Sequence, residues 1–349
     1  SRMFGPSQEL TDKFSDQLRT LPDIDTDRRE ILSDYVRRSF GPCRESNRPH
    51  RVMLLLFEGE NAIKKIYNAA GGLHDTQESA DTVRGTYGDC VRDSEGKLLY
   101  IEPAVLIAPS VLAAREILSL WMQYAETDGG IIDNALSLKC SHPQKTLVII
   151  KPDNFRYPSS RPGNIIDLFA HSGLRIIGAQ VHRMSMAEAK EFYGPIQAIL
   201  REKLSGKAVE RAVTALQSTF NFPIPATVQE ALSQTLGPHF GDRQFYEILQ
   251  FMTGLWLPDV PDSELNQEGN ARCLVLIYAG ENAVDKIRCI LGPTDPSKAQ
   301  PGSVRKEYGS DIMVNAAHAS DSAENAKREM NIIKLERNHL KKWFNQYYN

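Results

Sequence analysis

Short apolar runs rich in β-branched residues alternate along this chain with stretches whose apolar residues recur every three or four positions. Thr146-Leu-Val-Ile-Ile150, bounded by Lys151-Pro-Asp153, predicts a buried strand. Residues 164–171 predict a helix ended by Gly173, and 174–181 a second strand. Residues 186–203 and 245–252 read as helices, 272–278 as a third strand, and 282–291 as a helix running into a Gly/Pro loop up to Gly302. Ile312-Met-Val314 predicts a short fourth strand and Ser322 opens a helix over 323–333. Residues 334–349, with Leu335, Leu340, Trp343, Phe344 and Tyr347, predict an amphipathic tail helix that docks on the body or on a partner subunit. The βα order predicts an α/β or α+β class with strands crossing over helices.

The pattern repeats. Phe57-Glu-Gly-Glu-Asn-Ala62 recurs as Tyr278-Ala-Gly-Glu-Asn-Ala283, and Thr82-Val-Arg84 with Tyr87-Gly88 recurs as Ser303-Val-Arg305 with Tyr308-Gly309, both at an offset of 221. Further upstream, Phe4-Gly-Pro6 matches Tyr193-Gly-Pro195 at an offset of 189. The difference between these offsets gives the second repeat 32 more residues, placed at 205–242 and read as an inserted helical hairpin. The division expected is a partial first repeat over 1–127, a turn-rich linker over 128–145, a second repeat over 146–333 and the tail helix over 334–349. Residues 146–192 have no counterpart in the first repeat on this reading.

One histidine stands out by position. Asn315-Ala-Ala-His318-Ala-Ser-Asp-Ser322 lies between the fourth apolar run and the last core helix, so His318 sits on a strand-to-helix corner. Ser320, Asp321 and Ser322 are all candidate N-caps. A phosphate arriving near a helix N-terminus meets free N–H groups. Neutral imidazole is a competent nucleophile at neutral pH. A lone histidine at such a place is more often a surface residue, and the rest of the chain decides the matter.

Composition limits the remaining classes. The chain has 349 residues, 41% hydrophobic and 24% charged, as a globular protein with real cores does. Net charge is −3 and the pI about 6.3, which gives no electrostatic case for nucleic acid or anionic membrane as main partner. No apolar stretch approaches the ~18–20 residues of a membrane span. Five widely spaced cysteines (Cys43, Cys90, Cys140, Cys273, Cys289) with no C-x-x-C pair read as free thiols in a reducing cytoplasm. The opening Ser1-Arg2-Met3 shows no signal-peptide pattern and reads as a fragment or a cloning scar.

Val148-Ile-Ile-Lys151-Pro-Asp153 together with Asn315-x-x-His318-x-Ser320-Asp-Ser322 resembles the nucleoside diphosphate kinases. The resemblance covers residues 146–203 and 243–333. It implies a ferredoxin-like α+β fold with a four-stranded antiparallel sheet. The reaction implied is ping-pong transfer of the γ-phosphoryl of a nucleoside triphosphate to His318 and then to a nucleoside diphosphate. By the same resemblance Ser320 and Glu329 support the imidazole, Asn315 contacts the ribose, and Lys151 meets the transferring phosphate. Arg288, Thr294 and Arg305 form the phosphate clamp, and Tyr193 lies beside the histidine and lysine. Phe245 and Leu249 sandwich the base. Mg²⁺ is implied as a companion of the nucleotide phosphates, with no carboxylate cage of its own, and a homo-oligomer is expected. The chain departs from the family's usual pattern at Met313-Val314 (Gly-Arg), Ala319 (Gly) and Ala279 (an acid). In the first repeat Tyr67 and Leu73 replace the first clamp arginine and the threonine, and no histidine occurs between His74 and His142. That repeat is therefore expected to be inactive and to pair with the second as family subunits pair with each other. The alternatives to an active kinase are a binding scaffold on the same fold or a histidine phosphocarrier.

Overall fold

The computed structural model describes residues 1–21, 26–73, 81–135 and 142–348, arranged as two compact units. Unit 1 comprises Ser1–Lys139, Ile177–Gln180 and Leu335–Asn349; unit 2 comprises Cys140–Ile176 and Val181–Lys334. Cys140 and the middle of the expected linker lie outside the described residues. Among the described residues no helix is long and apolar enough to cross a membrane, and Cys43, Cys90, Cys273 and Cys289 are free thiols.

In unit 1, β1 (Arg2–Phe4) pairs antiparallel with β2 (Val52–Leu54), Met3 opposite Met53. Between them run α1 (Gln8–Thr20) and α2 (Thr26–Ser39), packed together. Then follow α3 (Ala62–Ala70), α4 (Val83–Tyr87), a hairpin of β3 (Asp89–Arg92) and β4 (Leu98–Glu102), and α5 (Val111–Gln123). The core is built on Trp121, whose ring takes Phe4 and Phe14 edge-on at 4.9 and 5.4 Å. Arg2 is buried, yet its guanidinium donates to the carbonyls of Ala125, Glu336 and Arg337, so the charge is solvated by backbone.

Unit 2 carries β5 (Pro143–Ile150), α6 (Arg161–Ala170), β6 (Arg175–His182, apart from Ile177–Gln180), α7 (Met186–Phe220), α8 (Ala226–Thr253), β7 (Cys273–Glu281), α9 (Ala283–Leu291), α10 (Val304–Tyr308), β8 (Ala317–Ala319) and α11 (Ala323–Ile333). The strand order is β6-β7-β5-β8, with β5 antiparallel to both neighbours. Two βαβ halves interleaved in this order make the ferredoxin-like α+β fold. Leu147, Val148, Ile149 and Ile150 are all fully buried, as expected of a central strand.

Several elements differ from the sequence expectation. The fourth strand is not Ile312–Val314, which lie in a loop, but Ala317–Ala319 around the histidine itself. Residues 205–242 do not add separate helices: they lengthen α7 and α8 into one long hairpin, turned at Asn221 with φ +57°. Gly241 lets the two helices touch, since a Cβ there would stand 2.5 Å from the Cα of Arg201. The Phe4/Tyr193 match is not a structural equivalence, because Phe4 ends β1 whereas Tyr193 lies inside α7. The equivalent landmarks are the N-caps Ser7 and Ser185, each taking a backbone N–H at the start of its helix. Their offset is 178, so the longer hairpin of unit 2 accounts for 43 extra residues against the 221 offset downstream. The tail is helical only over α12 (Leu340–Tyr348), which packs against α5 within unit 1.

Candidate functional site

β5 and β8 bring the site together. Their register sets His318 opposite Ile149, and Lys151 follows the end of β5. The chain reaches β8 through a tight corner: Ala316 has φ +69°, and the N–H of Ala317 donates to the carbonyl of Asn315 at 2.8 Å, a γ-turn. An alanine with this φ is strained by about 1–3 kcal/mol. Ala316 is also fully buried. Ala316→Val, which adds β-branching at a positive φ, is expected to lower stability by about 2 kcal/mol or more in denaturant unfolding; a neutral result would contradict the account of the corner.

Ser322 is the N-cap of α11, its Oγ accepting from the Asn325 N–H. From α11, Glu329 points back at the corner. Its Oε2 accepts from Ser320 Oγ at 2.6 Å and meets His318 Nε2 at 3.0 Å. A carboxylate accepts, so Nε2 carries the proton and Nδ1 keeps the lone pair. Phe192 and Tyr193 of α7 stand edge-on to the imidazole at 5.1 and 6.3 Å between centroids. The Tyr193 hydroxyl is buried with no hydrogen-bond partner, and burial pushes its pKa up.

The cations gather on the same side. Lys151 Nζ donates to Asn315 Oδ1 at 2.7 Å and to the Met313 carbonyl at 3.0 Å. Burial, with the Arg305 guanidinium nearby, lowers its pKa to about 8. Arg305 Nη1 and Nη2 donate to the carbonyls of Gly292 (2.9 Å) and Ala317 (3.2 Å), while its buried Nε has no partner. Burial and the positive field of Arg288 lower its pKa to about 10. Arg288 and Thr294 are exposed at the end of α9 and in the loop after it. Lys151, Arg305 and Arg288 lie within one another's field, and the buried Arg305 Nε has no partner, which describes a place prepared for an anion.

Three expected residues stand differently. Asn315 is 1% exposed and commits both amide protons to the carbonyls of Thr294 and Ile312. With its oxygen on Lys151 it braces the loop, and in this structure it offers no free donor to a ribose. Phe245 and Leu249 are buried at 2% and 0% exposure, on the core face of α8 with Gly241 and Met252, so neither presents a face to a base. The half-buried side chains of this stretch of α8 are Gln244, Tyr246, Glu247, Ile248 and Phe251.

Two supporting residues were not anticipated. Arg328 donates to the carbonyls of Glu191 and Phe192 and lies 3.8 Å from Glu329 Oε1, tying α11 to α7 behind the histidine. Asp311 takes the N–H groups of Met313 and Val314 at 2.7 and 2.8 Å. A basic residue adjoining Glu329 and an Asx-turn residue ahead of the loop were the available signals.

Unit 1 reproduces the frame of this site without its chemistry. Asn61 and Asn282 share φ of +53° and +52°, and Gly71 and Gly292 both have φ +82°. Arg84 donates to the carbonyls of Gly71 and Val105 as Arg305 does to those of Gly292 and Ala317. The strained corner recurs at Ala104, φ +55°, with Val105 N–H donating to Pro103. Ser110 caps α5 as Ser322 caps α11. In this register Leu106 stands for His318, Ala108 for Ser320, Ile117 for Glu329 and Pro103 for Asn315. Every polar group that serves the imidazole is replaced by an apolar one.

The family model for nucleoside diphosphate kinase matches residues 263–338. A nucleoside diphosphate kinase of Campylobacter hominis is 32% identical over 187 residues, covering 54% of this chain and 92% of that protein. One from Anaeromyxobacter sp. (strain K) is 31% identical, covering 54% and 86%. Among solved structures, a nucleoside diphosphate kinase of Pyrobaculum aerophilum is 25% identical, covering 54% of this chain and 94% of that one, with a TM-score of 0.36.

Proposed function

Since this chain belongs to the nucleoside diphosphate kinase family, we propose that unit 2 transfers the γ-phosphoryl group of a nucleoside triphosphate to a nucleoside diphosphate through phospho-His318. The observation that carries this reading is the contact of His318 Nε2 with the Glu329 carboxylate at 3.0 Å. Glu329, held by Ser320, fixes Nε2–H and leaves Nδ1 as the nucleophile, and Lys151, Arg305 and Arg288 are the cations that would receive the phosphate. The Nδ1 lone pair forms the N–P bond as the bond from the γ-phosphorus to the β-bridging oxygen breaks, and the diphosphate leaves. The second diphosphate then attacks the phosphohistidine, and the same nitrogen departs. Lys151 and the arginines stabilise charge on the phosphoryl oxygens, which is where the transition state carries it. The cations Lys151, Arg288 and Arg305 fit phosphate oxygens and not a metal ion. Mg²⁺ would therefore come bound to the nucleotide, where it neutralises phosphate charge. Unit 1 is read as non-catalytic, and the protein as cytoplasmic.

The lowered Lys151 pKa gives a test of its role. The ammonium is the form that binds phosphate, and it is lost as pH rises through about 8. Phosphate contact favours the ammonium, so binding takes up a proton above that pH. Affinity for a non-hydrolysable ATP analogue, measured by calorimetry, is expected to fall by up to about tenfold per pH unit between pH 8 and 10. A flat affinity over that range would remove Lys151 from the site. The activity itself is tested by steady-state transfer from ATP to GDP; absence of transfer in a folded protein that binds nucleotide would refute the proposed function.

A further inference from the structure

Unit 2 holds a cavity of about 680 Å³ beside the catalytic cleft. Sites for small ligands have this size. Its walls come from the turn after β5, the end of β6, the start of β7 and one accessible face of α8. Four guanidinium groups line it, those of Arg156, Arg183, Arg243 and Arg272, and Glu247 is the one carboxylate among the lining residues. The chain as a whole is negative, so this positive cluster is local. Two of the arginines are already held in place. Arg183 Nη1 donates to the Asn270 carbonyl at 2.6 Å, and Arg243 lies 4.4 Å over the Trp256 ring with its Nε on Glu247. Arg156 and Arg272 stand exposed. Two half-buried rings, Phe155 and Phe251, add flat apolar surface.

None of His318, Arg288, Arg305, Thr294 and Tyr193 lines this cavity. It meets the catalytic groups at two points: Met313, which lines the cavity and whose carbonyl accepts from Lys151, and Phe251, whose ring lies 5.6 Å from Lys151 Nζ. We propose that the cavity is a second binding site, distinct from the phosphoryl-transfer site, for a nucleoside polyphosphate. Guanidinium forks match phosphate oxygens, and an aromatic face accepts a base of any kind. Occupancy would bear on Met313 and so on the brace that holds Lys151. Inorganic polyphosphate shares the phosphate chemistry but lacks the ring.

The test is equilibrium dialysis of ADP against the full chain and Arg156→Glu/Arg272→Glu, with phosphohistidine formation from γ-labelled ATP followed in parallel. The wild type is expected to bind two ADP per chain. The double variant should bind one, with affinity at the other site lowered about tenfold or more, and should label as the wild type does. The weaker class should also be lost with added salt. One ADP per chain in the wild type would overturn the proposal. Loss of both ADP sites and of labelling in the variant would also overturn it, by making the cavity part of the catalytic cleft. Displacement of the second ADP by tripolyphosphate as readily as by ADP would overturn the nucleoside part and leave inorganic polyphosphate as the occupant. Two bound ADP without any phosphohistidine would refute the kinase reading and leave the second site standing.

Discussion

Replacing His318 by alanine is expected to lower phosphoryl transfer between nucleotides by about 10⁴-fold or more, with nucleotide affinity changed only a few-fold. The nucleophile is lost outright: among the described residues, the imidazole on the Glu329 carboxylate is that of His318. Binding survives because the cations Lys151, Arg288 and Arg305 are untouched. Stability should change little, since the imidazole is only partly buried, with 22% of its side-chain surface exposed. Glu329 keeps the Ser320 hydroxyl as a partner at 2.6 Å. Steady-state rates and ADP titration of the variant check both halves. Transfer within tenfold of wild type would assign the chemistry to another residue.

The second large effect separates structure from catalysis by using the chain's own repeat. Arg305→Leu should lower kcat/KM by about 10²–10³-fold, as expected for removal of a transition-state donor. It should also cost about 1–3 kcal/mol of stability, because the carbonyls of Gly292 and Ala317 lose their guanidinium partner. Arg84→Leu removes the corresponding bonds to Gly71 and Val105. It should cost a similar stability and leave the rate unchanged, since Leu106 stands where a nucleophile would be. Thermal melts with parallel rate measurements decide the matter. A rate loss in Arg84→Leu equal to that in Arg305→Leu would bring unit 1 into the catalytic machinery.

The catalytic corner was legible in sequence because its parts are local. A cap residue, a histidine and an acid two helical turns on are all set by spacing along one segment: Ser322 caps α11, and from that helix Glu329 reaches back to His318. The repeat was legible for the same reason over residues 57–88, where glycines and asparagines with positive φ fix a shared backbone. Its upstream limit was not. An aromatic-Gly-Pro match is too short to report conformation: Phe4 ends a strand, whereas Tyr193 sits inside a helix. The burial of Phe245 and Leu249 was not marked in the sequence, because α8 is amphipathic on a long hairpin. Phe245 and Leu249 follow the period of the core, and a one-residue change of position turns a helical side chain by about 100°. The brace at Asn315 depends on carbonyls of Thr294 and Ile312, which no side-chain pattern announces. The arginine-lined cavity joins residues from four separate elements, so nothing in linear order marked it.

The most direct test of the phosphohistidine mechanism is a pulse with γ-labelled ATP followed by a chase with unlabelled GDP, on the wild type and His318→Ala. The account predicts acid-labile label on the wild type that passes to GTP, and none on the variant. Label that stays on the protein would contradict transfer between nucleotides and indicate a phosphocarrier. Label that persists on His318→Ala would contradict the assignment of the nucleophile itself.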